Sequence, residues 1–180
     1  MTEELILVLG GARAGKSAFA QGLAEKGHRK VLFVATAEAG DAEMSERIAE
    51  HRRGRPAEWD TLEEPLELSA ALEQASPHYD MILLDCMTFW VSNLLGEEQG
   101  TRDVLVETQR LLDVYEAGSA TWIVVSNEVG LGLVPPSELG RRYRDALGRV
   151  NQLVARSADR VYLLVAGLAL DLKAAGAQPT

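Results

Sequence analysis

Residues 5–17 read LILVLGGARAGKS, an apolar run that leads directly into a glycine-rich octapeptide. The octapeptide, Gly10 to Ser17, matches the phosphate-loop pattern G-x-x-x-x-G-K-[ST] at each fixed position. The apolar residues before it predict a buried strand, and the residues after it predict a helix, which is the context in which this loop binds polyphosphates. This stretch therefore predicts an α/β domain that binds a nucleotide.

The residue types of the loop indicate how it would hold phosphate. Glycines allow the backbone to approach a polyphosphate closely, so that amide N–H groups point at it. Lys16 would place a positive charge at the terminal phosphates, and the hydroxyl of Ser17 would be a ligand of Mg²⁺. The remaining loop residues, which would contribute backbone contacts, are Gly10, Gly11, Ala12, Arg13, Ala14 and Gly15.

Short apolar runs alternate with helical segments along the chain. Such runs predict strands that are buried on both faces, and hence a parallel sheet covered by helices on both sides. We therefore predict a single doubly wound α/β domain of the P-loop NTPase type over residues 1–173, followed by a tail, residues 174–180, that frays. The predicted strands are Leu5 to Leu9, Val31 to Ala35, Met81 to Leu84, Ile123 to Val125 and Val161 to Val165.

Ligands of such sheets bind beyond the carboxyl ends of the strands, which directs attention to the residue that follows each run. Asp85 follows the run Met81 to Leu84, in the position where phosphate-loop proteins present a second carboxylate to Mg²⁺. An aspartate after a strand is also common as a turn or cap residue, so the loop at residues 10–17 is what favours the metal role. Its neighbour Cys86 is the single cysteine of the chain, and we expect it to be a core residue.

Residues 41–51 predict a helix that begins at Asp41 as its N-cap. Met44, Ile48 and His51 follow at spacings of four and three residues and therefore share one face. From this spacing alone, His51 would be a half-buried core histidine. Its cationic neighbours favour a different role; they are Arg52, Arg53 and Arg55.

Cationic groups around an imidazole disfavour its protonated form and keep it neutral near pH 7. A neutral histidine beside a polyphosphate can attack phosphorus and form a phosphoramidate, which divides one transfer into two easier steps. Guanidinium groups also bind phosphates through two parallel hydrogen bonds. His51 is therefore a candidate nucleophile.

Composition limits the partners of this protein. The formal net charge of −9 argues against a general nucleic-acid binder, which needs a surplus of clustered Lys and Arg. We find no apolar run that approaches the ~18 residues of a membrane span, and the first strand leaves no room for a cleavable signal. We therefore expect a cytoplasmic protein without a membrane span.

Four motifs together resemble one known family. They are the loop of residues 10–17, the pattern R-I-x-x-H-x-x-x-R-P-x-x-W-x-T-x-E of residues 47–63, N-E-V-G-x-G-x-V-P of residues 127–135, and R-D-x-x-G-R-x-N-Q of residues 144–152. The chain resembles, from residue 5 to about residue 168, the bifunctional adenosylcobinamide kinase/adenosylcobinamide-phosphate guanylyltransferases of cobalamin biosynthesis. These motifs are far more specific together than the phosphate loop is alone.

The resemblance implies two reactions at one nucleotide site, in a homotrimer. A nucleoside triphosphate, ATP or GTP, would phosphorylate adenosylcobinamide, and GTP would then transfer GMP to the resulting phosphate through a guanylylated His51. The resemblance does not identify the residues that would bind the corrinoid. Residues 130–132 and the arginines from Arg141 to Arg149 are candidates. The nucleotide contacts implied beyond residues 10–17 are Thr36, Ala37, Glu38, Arg52, Arg53, Gly54, Arg55, Glu63 and Asp85.

Two other functions fit parts of the pattern. A phosphate-loop kinase of another small metabolite would use Lys16, Ser17 and Asp85 without covalent chemistry at His51. A nucleotide-switched regulatory GTPase usually carries an N-K-x-D motif that reads guanine, and neither Asn93 nor Asn127 begins one. The kinase is therefore the main alternative.

Overall fold

The computed structural model describes residues 3–26, 30–38, 46, 49, 52–96 and 103–179. Seven strands form one sheet in the order β3-β2-β4-β5-β1-β6-β7. Their bounds are β1 Leu5–Gly10, β2 Val31–Ala35, β3 Asp60–Glu63, β4 Met81–Asp85, β5 Thr121–Val125, β6 Arg160–Val165 and β7 Leu168–Asp171. All pairings are parallel except that of β6 with β7. The predicted doubly wound, mostly parallel sheet is confirmed.

Helices within the described ranges connect these strands and cover the sheet. Their bounds are α1 Lys16–Glu25, α2 Leu68–Ala75, α3 Met87–Gly96, α4 Val104–Ala117 and α5 Glu138–Ser157, with a 3₁₀ turn at Ser76–His78. Asp103 and Ser137 cap α4 and α5, because their side chains accept hydrogen bonds from the N–H groups of Leu105 and Gly140. These caps fix where the two longest described helices begin.

The core lies on both faces of the sheet, as the apolar runs predict. Along β1, Leu5, Leu7 and Leu9 pack on the face that α2 to α5 cover, and Ile6 and Val8 pack on the face that α1 covers. All residues of β1 are buried, which is the pattern of a central parallel strand. The phosphate loop that follows β1 is therefore attached to the most protected strand of the sheet.

The two edge strands, β3 and β7, are absent from the strands that the sequence predicts. Both are short, and most of their side chains are exposed, so that neither has the continuous apolar run that marks a central strand. Only the register with β2, in which Leu32 to Ala35 pair with Asp60 to Glu63, makes β3 a strand. Tertiary pairing rather than local propensity therefore defines both edges.

After β7 the chain turns back on itself. Ala175 N–H donates to the carbonyl of Asp171 at 3.0 Å, and Ala177 N–H donates to that of Leu172 at 2.9 Å. The fraying of residues 174–180 stays a prediction. In the described part of the chain, none of the helices has the length and apolar character that a membrane span requires.

Candidate active site

Several of the predicted site residues that the structure describes lie at the carboxyl ends of the parallel strands. Ala35, the last residue of β2, pairs with Glu63 of β3 on one side and with Asp85 of β4 on the other. Asp85 in turn pairs with Val125, the last residue of β5. Because parallel strands end in register here, residues distant in sequence form one row beside the phosphate loop.

Neighbouring strands hold the phosphate loop in place. A Cβ added at Gly10 would lie 2.6 Å from the carbonyl oxygen of Leu164 in β6, so only glycine fits. Gly15 begins α1 with a φ of 95°, in the region that favours glycine. The carbonyl of Gly10 accepts from the N–H of Glu128 at 3.1 Å, and that of Ala14 accepts from Gly167 N–H at 3.2 Å. The loop is therefore anchored from β5 and from the β6–β7 turn.

Lys16 directs its ammonium group back into the loop. The side chain is buried, and Nζ donates a hydrogen bond of 2.7 Å to the carbonyl of Gly11. Burial lowers the pKa of Lys16, while the nearby Cys86 and Asp85 raise it by smaller amounts. A partly desolvated cation therefore lies beside the loop backbone, where its attraction to a phosphate would be stronger than in water.

The carboxylate of Asp85 interacts electrostatically with two cations of the site. Its charge acts on the ammonium of Lys16 and on the guanidinium of Arg55, raising the pKa of each against the effect of burial. Ser17, the second residue of α1, is partly exposed beside Lys16. The segments that carry the loop and the arginines are therefore brought together by the end of β4.

The donor set fits Mg²⁺ bound with a nucleotide. Among residues whose side chains are described, no cluster of three or more His, Cys, Asp or Glu could hold a metal ion alone. Ser17 and Asp85 offer one hydroxyl and one carboxylate, both hard oxygen ligands. Mg²⁺ usually keeps several waters and takes its other ligands from substrate phosphates, so this small donor set is what a nucleotide-bound ion needs.

Arg55 lies against the aromatic ring of Phe33 in β2, with its guanidinium carbon 3.5 Å from the ring centroid. Its Nη1 is 3.5 Å from the hydroxyl of Thr61, and its buried Nε has no hydrogen-bond partner. Burial lowers the pKa of Arg55. Stacking on an aromatic ring is a common way to orient a planar guanidinium for phosphate binding.

Arg52 forms an ion pair with Glu63 at the end of β3, and about half of each side chain is exposed. Arg53 and Gly54, which lie between Arg52 and Arg55 in the sequence, are exposed. His51, the predicted nucleophile, lies outside the described residues, as does the start of its predicted helix at Asp41. The continuous description of this segment therefore begins at Arg52, one residue after the predicted nucleophile.

Thr36, Ala37 and Glu38 follow β2 and become progressively more exposed. The Thr36 side chain is fully buried, and its hydroxyl exchanges two hydrogen bonds with the backbone of Cys86. Asn93 of α3 also joins this cluster, because its amide donates to the carbonyl of Thr36 at 2.9 Å. Sequence reasoning missed Asn93, which has no local signal within an apolar helix.

A second polar cluster supports the end of β5. Ser126 donates to the side-chain oxygen of Asn151 at 2.6 Å, and the Asn151 amide donates to the carbonyl of Asn127 at 3.0 Å. Thr88 accepts from the N–H of Asn127 at 2.9 Å. These residues were not predicted to be functional, although Asn127 and Asn151 belong to two of the four motifs. They hold the segment whose residue 128 bonds to the phosphate loop.

Cys86 is a core residue, as predicted. Its side chain is buried, and burial, followed by the charge of Asp85, raises the pKa of its thiol from 9.0 to about 11. A thiol with that pKa is protonated at neutral pH and is a poor nucleophile.

The candidate corrinoid contacts lie at the surface. Leu131 is 86% exposed in the loop between β5 and α5. Arg141 donates to the carbonyl of Pro136 at 2.8 Å, and Arg144 pairs with Asp145. These arginines are engaged within their own segment, so the structure assigns them no ligand.

The chain carries a phosphate loop after the central strand β1, a buried lysine in that loop and a carboxylate at the end of β4, which β5 separates from β1. These features define a P-loop nucleotide-binding protein. A solved ATPase from the type III secretion system of pathogenic bacteria matches this fold with a TM-score of 0.62, at 12% identity, over 98% of this chain and 60% of that one. The chain belongs to the cobinamide kinase / cobinamide phosphate guanyltransferase family, whose model matches residues 6–172. The predicted enzyme class is thereby confirmed.

Curated relatives are similar along nearly their whole length. A Pseudomonas aeruginosa protein named bifunctional adenosylcobalamin biosynthesis protein CobP is 47% identical over 167 residues, which are 93% of this chain and 96% of that protein. The Escherichia coli protein named bifunctional adenosylcobalamin biosynthesis protein CobU is 38% identical over 181 residues, which cover 94% of this chain and 99% of that protein. The family resemblance stated from the motifs is confirmed.

Proposed function

We propose that this protein phosphorylates adenosylcobinamide with ATP or GTP and then transfers GMP from GTP to the new phosphate, producing adenosylcobinamide-GDP and pyrophosphate. The observation that carries the proposal is that Lys16 contacts the loop backbone, Asp85 ends β4, and Arg55 stacks on Phe33 of the neighbouring strand β2. One anionic nucleotide could be bound there in both reactions. Family membership supplies the acceptor class.

In the kinase step, the hydroxyl oxygen of the acceptor attacks the γ-phosphorus, and the bond between that phosphorus and the β,γ-bridging oxygen breaks. The nucleoside diphosphate leaves, and the hydroxyl proton passes to solvent. Lys16 would exchange its contact with the Gly11 carbonyl for the phosphate oxygens on which charge accumulates. Bound Mg²⁺, held by Ser17 and Asp85, would neutralise further phosphate charge.

In the transfer step, a neutral His51 nitrogen attacks the α-phosphorus of GTP, and pyrophosphate leaves. A phosphate oxygen of adenosylcobinamide phosphate then attacks the same phosphorus, and the bond to His51 breaks. Arg52, Arg53 and Arg55 would keep the imidazole neutral and bind the phosphates. Glu63 would give up its contact with Arg52 and accept hydrogen bonds from guanine or ribose instead. The homotrimer stays a prediction.

The test is covalent labelling with GTP labelled on its α-phosphate, in the presence of Mg²⁺. We expect acid-labile, alkali-stable label on the wild-type protein and none on His51→Ala, because only a phosphoramidate has that stability pattern. His78→Ala is the matched control, since His78 is exposed on the 3₁₀ turn between α2 and β4. GTP binding is measured separately on each variant, so that loss of label is not confused with loss of the site.

Two outcomes would contradict a covalent intermediate at His51. Label that persists on His51→Ala would assign the nucleophile to another residue. Bound GTP without label on the wild-type protein would leave the alternative, a phosphate-loop kinase of a small metabolite without a covalent histidine.

A further inference from the structure

We propose that Thr36 and Asn93 are positioning residues, which hold the carboxylate of Asp85 where it binds the metal ion of the nucleotide. This inference rests on the proposed function, because it assumes that a metal–nucleotide complex binds at the phosphate loop. It concerns the side chains of Thr36 and Asn93, to which neither the motifs nor the family assign this role.

The first contact lies between the ends of β2 and β4. The hydroxyl of Thr36 donates to the carbonyl of Cys86 at 2.6 Å and accepts from the Cys86 N–H at 3.1 Å. Both backbone groups of the residue that follows Asp85 are therefore held by one side chain. Thr36 is fully buried, so its hydroxyl has no surface left for a nucleotide.

The second contact fixes Thr36 itself. The amide of Asn93 in α3 donates to the carbonyl of Thr36 at 2.9 Å and to that of Pro65 at 3.1 Å. One amide thus joins the residue after β2 to the segment that follows β3. Without it, two carbonyls in a partly buried region would lose their hydrogen-bond donor, which is costly.

The consequence for Asp85 follows from the chain connectivity. Asp85 is joined by one peptide bond to Cys86, whose N–H and carbonyl are both held, and its own backbone is in register with Ala35 and Val125. Its carboxylate therefore leaves a backbone that is fixed on both sides. Partners that orient a metal ligand typically change metal affinity by about 10- to 100-fold when they are removed.

The experiment measures Mn²⁺ binding by electron paramagnetic resonance, on the full chain saturated with the α,β-methylene analogue of GTP, which blocks cleavage at the α-phosphorus. We expect Thr36→Val to weaken Mn²⁺ affinity by about 10-fold or more, and Thr36→Ser, which keeps the hydroxyl, to restore it to within about 2-fold of wild type. Asn93→Asp, which replaces the donor by a carboxylate, should also weaken it.

Thr108→Val is the matched control. Thr108 is equally buried and donates to the carbonyl of Val104 at 2.7 Å, within α4 rather than between two strands. It loses the same hydroxyl, so it reports the effect of lost stability on Mn²⁺ binding, and we expect no change in affinity. Affinity for the nucleotide in EDTA is measured on each variant, so that loss of the metal ion is distinguished from loss of the nucleotide.

The outcomes separate this inference from the proposed function. Wild-type affinity in Thr36→Val or in Asn93→Asp would overturn the positioning role, as would an equal loss in Thr108→Val. A wild-type protein that binds the nucleotide but no Mn²⁺ would instead contradict the metal site on which the proposed function depends, and the inference with it.

Discussion

The two halves of the candidate site differ in how they are held. The phosphate-loop half, residues 10–17 with Asp85, is attached to buried central strands and bonded to the segments after β5 and β6. The arginine half, residues 52–63, leads into the edge strand β3, and its two inner arginine contacts are an exposed ion pair and one stacked guanidinium. Buried strands thus fix the position of the phosphate loop, whereas contacts near the surface position the segment next to the predicted nucleophile.

The largest effect should come from Lys16→Met, which tests whether the phosphate half supplies catalysis rather than stability. Removing the cation should lower kcat/KM of the phosphorylation step by about a thousandfold, because its buried ammonium is the group that reaches into the loop. The free energy of unfolding should stay within about 1 kcal/mol of wild type, since burial already disfavours the charged form. Steady-state kinetics and denaturant unfolding measure both. A large loss of stability would contradict this division of roles.

The second prediction concerns the fit between the loop and β6. Gly10→Ala would place a methyl group 2.6 Å from the carbonyl oxygen of Leu164, so that a central strand or the loop must shift. We expect the free energy of unfolding to fall by about 3 kcal/mol. Gly11→Ala is the control, because a Cβ there meets nothing within 4 Å. Equal losses in both variants would mean that the loop is not packed against β6.

The third prediction uses the buried thiol at the end of β4. The pKa of Cys86 is raised to about 11 in the folded protein from an ordinary 9.0, so the unfolded chain loses this proton first as the pH rises. The protonated thiol therefore contributes its full stabilisation below pH 9, and this stabilisation is lost as the pH rises from 9 to 11. The loss in the free energy of unfolding is about 1 kcal/mol at pH 10.

Unfolding by denaturant at pH 8 and at pH 10 measures this loss, and Cys86→Ala should reduce the difference between the two values. Tyr143, whose pKa burial raises to about 12, keeps a smaller dependence in both proteins. An unchanged pH dependence in Cys86→Ala would show that the thiol is not desolvated, and that this part of the phosphate half is more open to solvent than its burial indicates.

The same contrast explains what could be predicted from sequence. The central strands and the phosphate loop carry continuous apolar runs and fixed glycines, which are local signals, so their existence was predictable. The edge strand β3 has no such run, since Asp60 and Glu63 are polar and exposed, and it exists through pairing with β2. Asn93 was missed for a related reason: its partners, Thr36 and Pro65, are distant in sequence and adjacent only in the fold.

The smallest effect should come from the ion pair between Arg52 and Glu63, where a double-mutant cycle isolates the contribution of the pair. With about half of each side chain exposed, the coupling between Arg52→Gln and Glu63→Gln in the free energy of unfolding should be only about 0.5 kcal/mol. It should fall further in high salt, because the Debye length shortens to about 3 Å at 1 M.

The pair of Arg160 and Glu4, at 3.8 Å and similarly exposed on the far side of β1 and β6 from the loop, is the reference cycle. A coupling above about 2 kcal/mol at Arg52 and Glu63, or one that salt does not reduce, would mean that this contact is desolvated. The arginine half would then be as firmly positioned as the phosphate half, and the contrast between them would fail. A weak, salt-sensitive coupling leaves Glu63 free to exchange Arg52 for a nucleotide at little cost, which a base- or ribose-binding role for Glu63 requires.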